Sequence, residues 1–154
     1  MISQTPHASD LRKGRRSLDN QIYHVTFCSR DRRPYFESFH VGRIIVSAIR
    51  VESDRRRAHT LAFVIMPDHV HWLMQLIADY PLRQTVLNIR SRSTKVVNNF
   101  LGRSGTIWQD GYHDRALRSD EDVIQVARYI IANPLRAGIV TDIGSYALWD
   151  ADWI

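Results

Sequence analysis

The sequence predicts one α+β domain, an antiparallel sheet with helices packed on it. Two patterns carry this expectation. Stretches rich in β-branched and aromatic residues alternate with stretches of helical periodicity, in the order strand, helix, hairpin, helix, strand, helix. The connections between them are short, which makes sequential strands antiparallel neighbours. The chain has 154 residues, which fits one domain and buries a core without disulfides or a structural metal. Its hydrophobic content of 44% is ordinary for a globular protein, and no run approaches the roughly 18 apolar residues of a membrane span.

Residues 1–20 are polar and carry Arg12, Lys13, Arg15 and Arg16, which reads as a basic arm that is disordered or orders on a partner. Residues 21–154 form the domain. Tyr23 to Ser29 is rich in β-branched and aromatic residues and predicts the first strand, with Arg30 to Pro34 turning the chain. Val41, Ile44, Ile45, Ala48 and Ile49 recur at the spacing of one helical face, and this helix should end near Arg57. Leu61–Met66 and Val70–Leu76 flank Pro67, Asp68 and His69, which predicts a hairpin of two central strands. A second helix runs from Leu82 to Leu101. Leu82, Val86, Ile89, Val96, Val97 and Phe100 form its apolar stripe, with Asn88, Arg92, Lys95 and Asn99 on another face. Thr106 to Gln109 reads as a short strand. Ser119 to Asp122 resembles a capping box opening a third helix that runs to about Asn133, where Pro134 stops or bends it.

Lys plus Arg outnumber Asp plus Glu by 21 to 16, a formal net charge of +5 with a sequence pI near 9.8. This balance favours an anionic partner, nucleic acid first. Almost all the basic residues are arginine, whose guanidinium grips phosphate or guanine with two parallel hydrogen bonds, although a GC-rich genome would produce the same bias. With Cys28 as the one cysteine no internal disulfide forms, and a reducing bacterial cytoplasm is the expected setting. The first residues, Met1 to Arg16, hold no apolar signal-peptide core, so export is not expected.

The sharpest chemical feature is Met66-Pro-Asp-His69-Val70-His71-Trp72. Alternate residues of a strand share a face, so His69 and His71 stand side by side where one metal can take both, while Val70, Trp72 and Met74 line the opposite, apolar face. Two hydrogen-bonded structural histidines are the plainer alternative. In the third helix Val123, Ala127, Ile130 and Ile131 define the buried side, and Tyr129 and Asn133 lie roughly opposite it, four residues apart and projecting together. A surface tyrosine followed by an asparagine helix cap would give the same pattern.

Gly14-Arg15-Arg16, Tyr23-His-Val-Thr-Phe27, Met66-Pro-Asp-His-Val-His71, Trp108-Gln-Asp-Gly-Tyr112, Leu117-Arg118, Ala127-Arg-Tyr-Ile130 and Asn133-Pro-Leu-Arg-Ala-Gly138 come in an ordered series over residues 12–149. The series resembles the REP-associated tyrosine transposases of the single-tyrosine HUH superfamily, relatives of small insertion-sequence transposases named for a His-hydrophobic-His triplet. The resemblance implies a ferredoxin-like HUH nuclease architecture. It implies Tyr129 as nucleophile, a magnesium or manganese ion on His69, His71 and Asn133, and single-stranded hairpins of repetitive extragenic palindromes as substrate. The insertion-sequence relatives usually have glutamine where this chain has Asn133, the same donor oxygen on a longer arm. The resemblance also favours a monomer over a dimer that exchanges tyrosine helices. Arg12, Lys13, Arg15, Arg16, Arg30, Arg92, Lys95, Arg115 and Arg118 are the candidate DNA contacts, and Trp108 or Tyr112 the candidates for base stacking. Tyr112 is the rival nucleophile. Two other classes stay open at this stage, a non-catalytic nucleic-acid-binding module and a metal hydrolase that activates water.

Overall fold

In the computed structural model, which describes residues 21–118 and 120–152, the strands β1 (Ile22–Cys28), β2 (Ala58–Ile65), β3 (His69–Leu76), β4 (His113–Ala116) and β5 (Trp149–Ala151) form one sheet. Its order is β4-β1-β3-β2-β5, and every neighbouring pair is antiparallel. The helices are α1 (Phe39–Asp54), α2 (Leu82–Leu101), α3 (Val123–Ile131) and the short α4 (Asn133–Arg136). The expected α+β class is present. The predicted arm, with Arg12, Lys13, Arg15 and Arg16, lies outside the described residues.

Alternation divides the sheet into two unlike faces. Tyr23, Val25 and Phe27 of β1 point to the same side as Val70, Trp72 and Met74 of β3, and α1 and α2 bury that side through Ile45, Ile49, Val86, Ile89 and Val97. The other face is split. Over β2 it is apolar, and α3 packs Ala127, Ile130 and Ile131 against Ala62, Val64 and Leu73. Toward β1 and β4 it is polar: residues directly opposite in a ladder share a face, and the register pairs Thr26 with His71 and with His113, and His24 with Arg115.

Local chemistry fixes the element ends. Ser38 caps α1 by accepting from the Val41 N–H, and Gly102, at φ 63, closes α2 in the left-handed region that glycine enters without steric cost. Asp122 caps α3, its carboxylate accepting from the N–H groups of Ile124 and Gln125. The hairpin turn before His69 is pinned by the residue that follows β1, where the N–H and hydroxyl of fully buried Ser29 both donate to the Asp68 carbonyl, at 2.9 and 3.1 Å.

Several expectations change. Thr106 to Gln109 is not a ladder strand; only a Ser29–Trp108 bridge forms there. The segment is held by burial of Trp108, whose ring packs on Phe27 and Phe36 and whose indole N–H donates to Ser93 at 3.0 Å. β4 and β5 were not foreseen, being short edge strands, β4 without an apolar alternation and β5 of only three residues. α1 ends at Asp54, before Arg57. Val96 and Phe100 are 45% and 51% exposed, because the buried stripe of α2 runs through Ile89, Ser93 and Val97 and leaves them to one side; Phe100 stacks on His40 of α1 instead. α3 ends at Ile131, and Pro134 opens α4 as a separate turn.

Candidate active site

The two histidines of β3 stand on the polar part of the sheet, their ring centroids 5.0 Å apart. Each has its Nδ1 engaged within the protein. His69 Nδ1 meets Asp68 Oδ1 at 2.7 Å. His71 Nδ1 meets His24 Nε2 at 3.0 Å and Thr26 Oγ1 at 3.2 Å. These contacts orient both rings and leave both Nε2 atoms as the outward donors, the arrangement in which a second group fixes a metal-ligating imidazole. Burial, then the neighbouring His24 and His69 and the Arg136 charge, push His71 down to about 3, so it is a neutral imidazole with a lone pair at physiological pH. Burial and then Arg115 lower His24 as well. Asp68 is partly buried, which alone would raise its pKa, but hydrogen bonds and charge from His69 and Arg32 prevail and hold it below the usual carboxylate range.

The third expected ligand lies past the end of α3. The Asn133 Nδ2 donates to the Ile130 carbonyl at 2.7 Å. A carbonyl accepts only, so the contacting atom is the amide nitrogen, and Oδ1 is turned away as a free acceptor. Among the described residues no three His, Cys, Asp or Glu side chains gather around one point. The His69 and His71 imidazoles are an open donor pair of a kind that fits a divalent ion completing its shell with other oxygens.

Tyr129 is 63% exposed on α3, on the side away from Ala127 and Ile130. α3 sits on the histidine face through Leu73, two residues beyond His71. Arg136 covers Tyr129. Its guanidinium lies 3.7 Å from the centroid of the Tyr129 ring, its Nη2 donates to the Tyr129 carbonyl at 2.6 Å, and its charge acts on His71. Tyr112, the rival nucleophile, packs against the core under α1 and α2, on the opposite face of the sheet from the histidines.

The candidate DNA contacts separate by face. Arg115 and Arg118 are exposed beside the polar face, and Arg115 holds Glu121 through two bonds of 2.7 and 2.9 Å. Arg30 is exposed in the turn after β1. Arg92 and Lys95 lie on α2, across the sheet from the histidines, and Arg92 bonds the buried carboxylate of Glu52 at 3.2 Å. Trp108 is only 3% exposed, so it serves the core and offers no platform to a base. Sequence reasoning missed His24, Thr26, Asp68 and Arg136 as parts of the site. The first two had a signal, since they fall between the apolar positions Tyr23, Val25 and Phe27.

Known proteins resemble this chain in sequence and fold. A curated Haemophilus influenzae protein named as a REP-associated tyrosine transposase is 26% identical over 131 residues, covering 77% of this chain and 73% of its own. A solved structure of a REP-associated tyrosine transposase bound to a REP hairpin superposes with a TM-score of 0.72 at 21% identity, over 88% of this chain and 79% of that one. A Deinococcus radiodurans crystal structure described as a transposase gives 0.55 at 19% identity, over 77% and 94%. These two solved structures share the fold. The family described as "Transposase IS200 like" matches residues 17–133, a span holding His69, His71, Tyr129 and Asn133. With most of its length inside that match, the chain belongs to the IS200-like transposase family.

Proposed function

We propose that the protein is a single-tyrosine DNA endonuclease and strand transferase that acts, as a monomer, on single-stranded hairpins of the repetitive extragenic palindrome type. The observation that carries this reading is the seating of α3 on the face of the sheet that bears His69 and His71, with Tyr129 exposed on that helix. The hairpin substrate is supported by the solved relative whose bound partner is a REP hairpin.

In the reaction the Tyr129 oxygen attacks a backbone phosphorus in line with the departing 3′ oxygen. The O–P bond to tyrosine forms, the bond to the 3′ oxygen breaks, and the phenolic proton passes through solvent to the leaving oxygen. The products are a 5′-phosphotyrosine and a 3′-hydroxyl that can reverse the step. The His69 and His71 Nε2 atoms and Asn133 Oδ1 are the groups that would hold magnesium or manganese. When bound, the ion supplies Lewis-acid polarisation of the phosphoryl oxygens. Asp68, His24 and Thr26 keep the imidazoles oriented before substrate arrives, and Arg115, Arg118 and Arg30 offer cations to the phosphate backbone around the site.

The test uses labelled single-stranded hairpin DNA with manganese, followed by denaturing electrophoresis. Wild type is expected to give a denaturation-resistant protein–DNA band, and Tyr129→Phe none. Cleavage that persists in Tyr129→Phe without such a band would instead identify a water-activating hydrolase. Binding without cleavage would identify a non-catalytic module.

A further inference from the structure

Arg136 has an unusual set of neighbours. It is exposed, and no carboxylate pairs with it among the described residues, whereas Arg32, Arg57, Arg92 and Arg115 each hold one. Its guanidinium is laid over the Tyr129 ring at 3.7 Å and anchored by one nitrogen to the Tyr129 backbone carbonyl. That leaves Nε and Nη1 without partners while the side chain itself is held in place. The chain reaches this position because α3 breaks after Ile131 and α4 turns Arg136 back beside the residue seven positions earlier. The family match ends at Asn133, so Arg136 lies beyond it.

A stacked guanidinium with free N–H groups is suited to an oxyanion. It presents a planar fork, and the stacking removes much of the rotamer freedom that binding would otherwise cost. Here the oxyanion at hand would be the phosphate that Tyr129 attacks and then carries. We propose that Arg136 is a substrate-binding residue of the reaction, gripping a non-bridging oxygen of the scissile phosphate on the side away from the histidines. The same contact persists in the covalent intermediate, where the phosphate hangs from the ring that Arg136 covers. The grip gains strength as negative charge accumulates on the equatorial oxygens in the transition state. This proposal rests on the single-tyrosine reading above.

The test compares adduct formation by wild type and Arg136→Gln at saturating hairpin and manganese, using substrates with a methylphosphonate of either configuration at the scissile position. Arg136→Gln is expected to slow the all-phosphate reaction about a hundredfold while hairpin affinity changes little. In wild type both diastereomers should react slowly, each lacking one non-bridging oxygen. In Arg136→Gln the penalty for one diastereomer should vanish and the other remain, a coupling that a merely structural arginine would not produce. Arg136→Lys, which keeps the charge and the fold but not the fork, should show the same diastereomer's penalty reduced. If both penalties persist at wild-type size in the variants, or if the variants react at the wild-type rate, the assignment of Arg136 is wrong. Absence of any adduct from wild type would overturn the single-tyrosine reading itself.

Discussion

His71 is asked to do two things that conflict in water, to stay unprotonated and to point one nitrogen outward. The fold answers both, with burial opposing the charge and with His24 and Thr26 occupying Nδ1. Replacing the neighbours that hold the imidazoles, by Asp68→Ala or Thr26→Val, should weaken manganese binding about 10- to 100-fold, read by titration calorimetry. The same burial sets a pH dependence. An unfolded His71 takes up a proton near its ordinary value of 6.5, and the folded one only at about 3. The stability it contributes is therefore present above pH 6.5 and lost progressively as pH falls toward 3, with His24 acting in the same direction. Melting temperatures of the metal-free protein should fall over that window, and less steeply in His71→Asn. At this scale, the side-by-side placement of His69 and His71 and the exposure of Tyr129 were legible because strand alternation and helical angle are local rules. Arg136 was not, because its place depends on the break after Ile131, which redirects the chain.

Among the elements, α3 matters most, since it carries Tyr129, the proposed nucleophile, on only nine residues. Asp122→Ala removes the acceptor for two N–H groups at its start and should cost about 1 kcal/mol, measured by urea unfolding. It should also slow adduct formation as the first turn frays. On the other side of the sheet, α1 passes so close to the segment before β5 that a Cβ added at Gly42 would lie 2.3 Å from Leu148 Cδ1. Leu148 is buried at 6% exposure and has little room to rotate away, so Gly42→Ala should destabilise by about 1–3 kcal/mol through overpacking. Sequence patterning located α2 to its terminal residues and β1, β3 and α3 closely, because each buries one face and repels water from it. It missed β4, whose His-Asp-Arg-Ala sequence has no apolar face to announce it. It also placed Val96 and Phe100 in the core, since apolar spacing does not show that the buried stripe follows Ile89, Ser93 and Val97 instead.

For the whole molecule, charge and topology converge on one surface. The net charge of +5 is modest, but Arg30, Arg115 and Arg118 are exposed, and Arg115 lies opposite His24 on the polar face. Hairpin affinity should therefore fall roughly 10- to 100-fold between about 50 and 200 mM salt, read by fluorescence anisotropy. The α+β class was legible from element order alone, whereas the strand order was not, because both edge strands are supplied by segments that read as loops. One consequence follows from Ala127 and Ile130, which are fully buried under α3 in the chain's own core. In the monomer proposed above, a helix anchored in this way stays with its own copy. Mixing His69→Ala with Tyr129→Phe should leave both proteins inert, and in wild type the rate of adduct formation per molecule should stay constant on dilution, first order in protein.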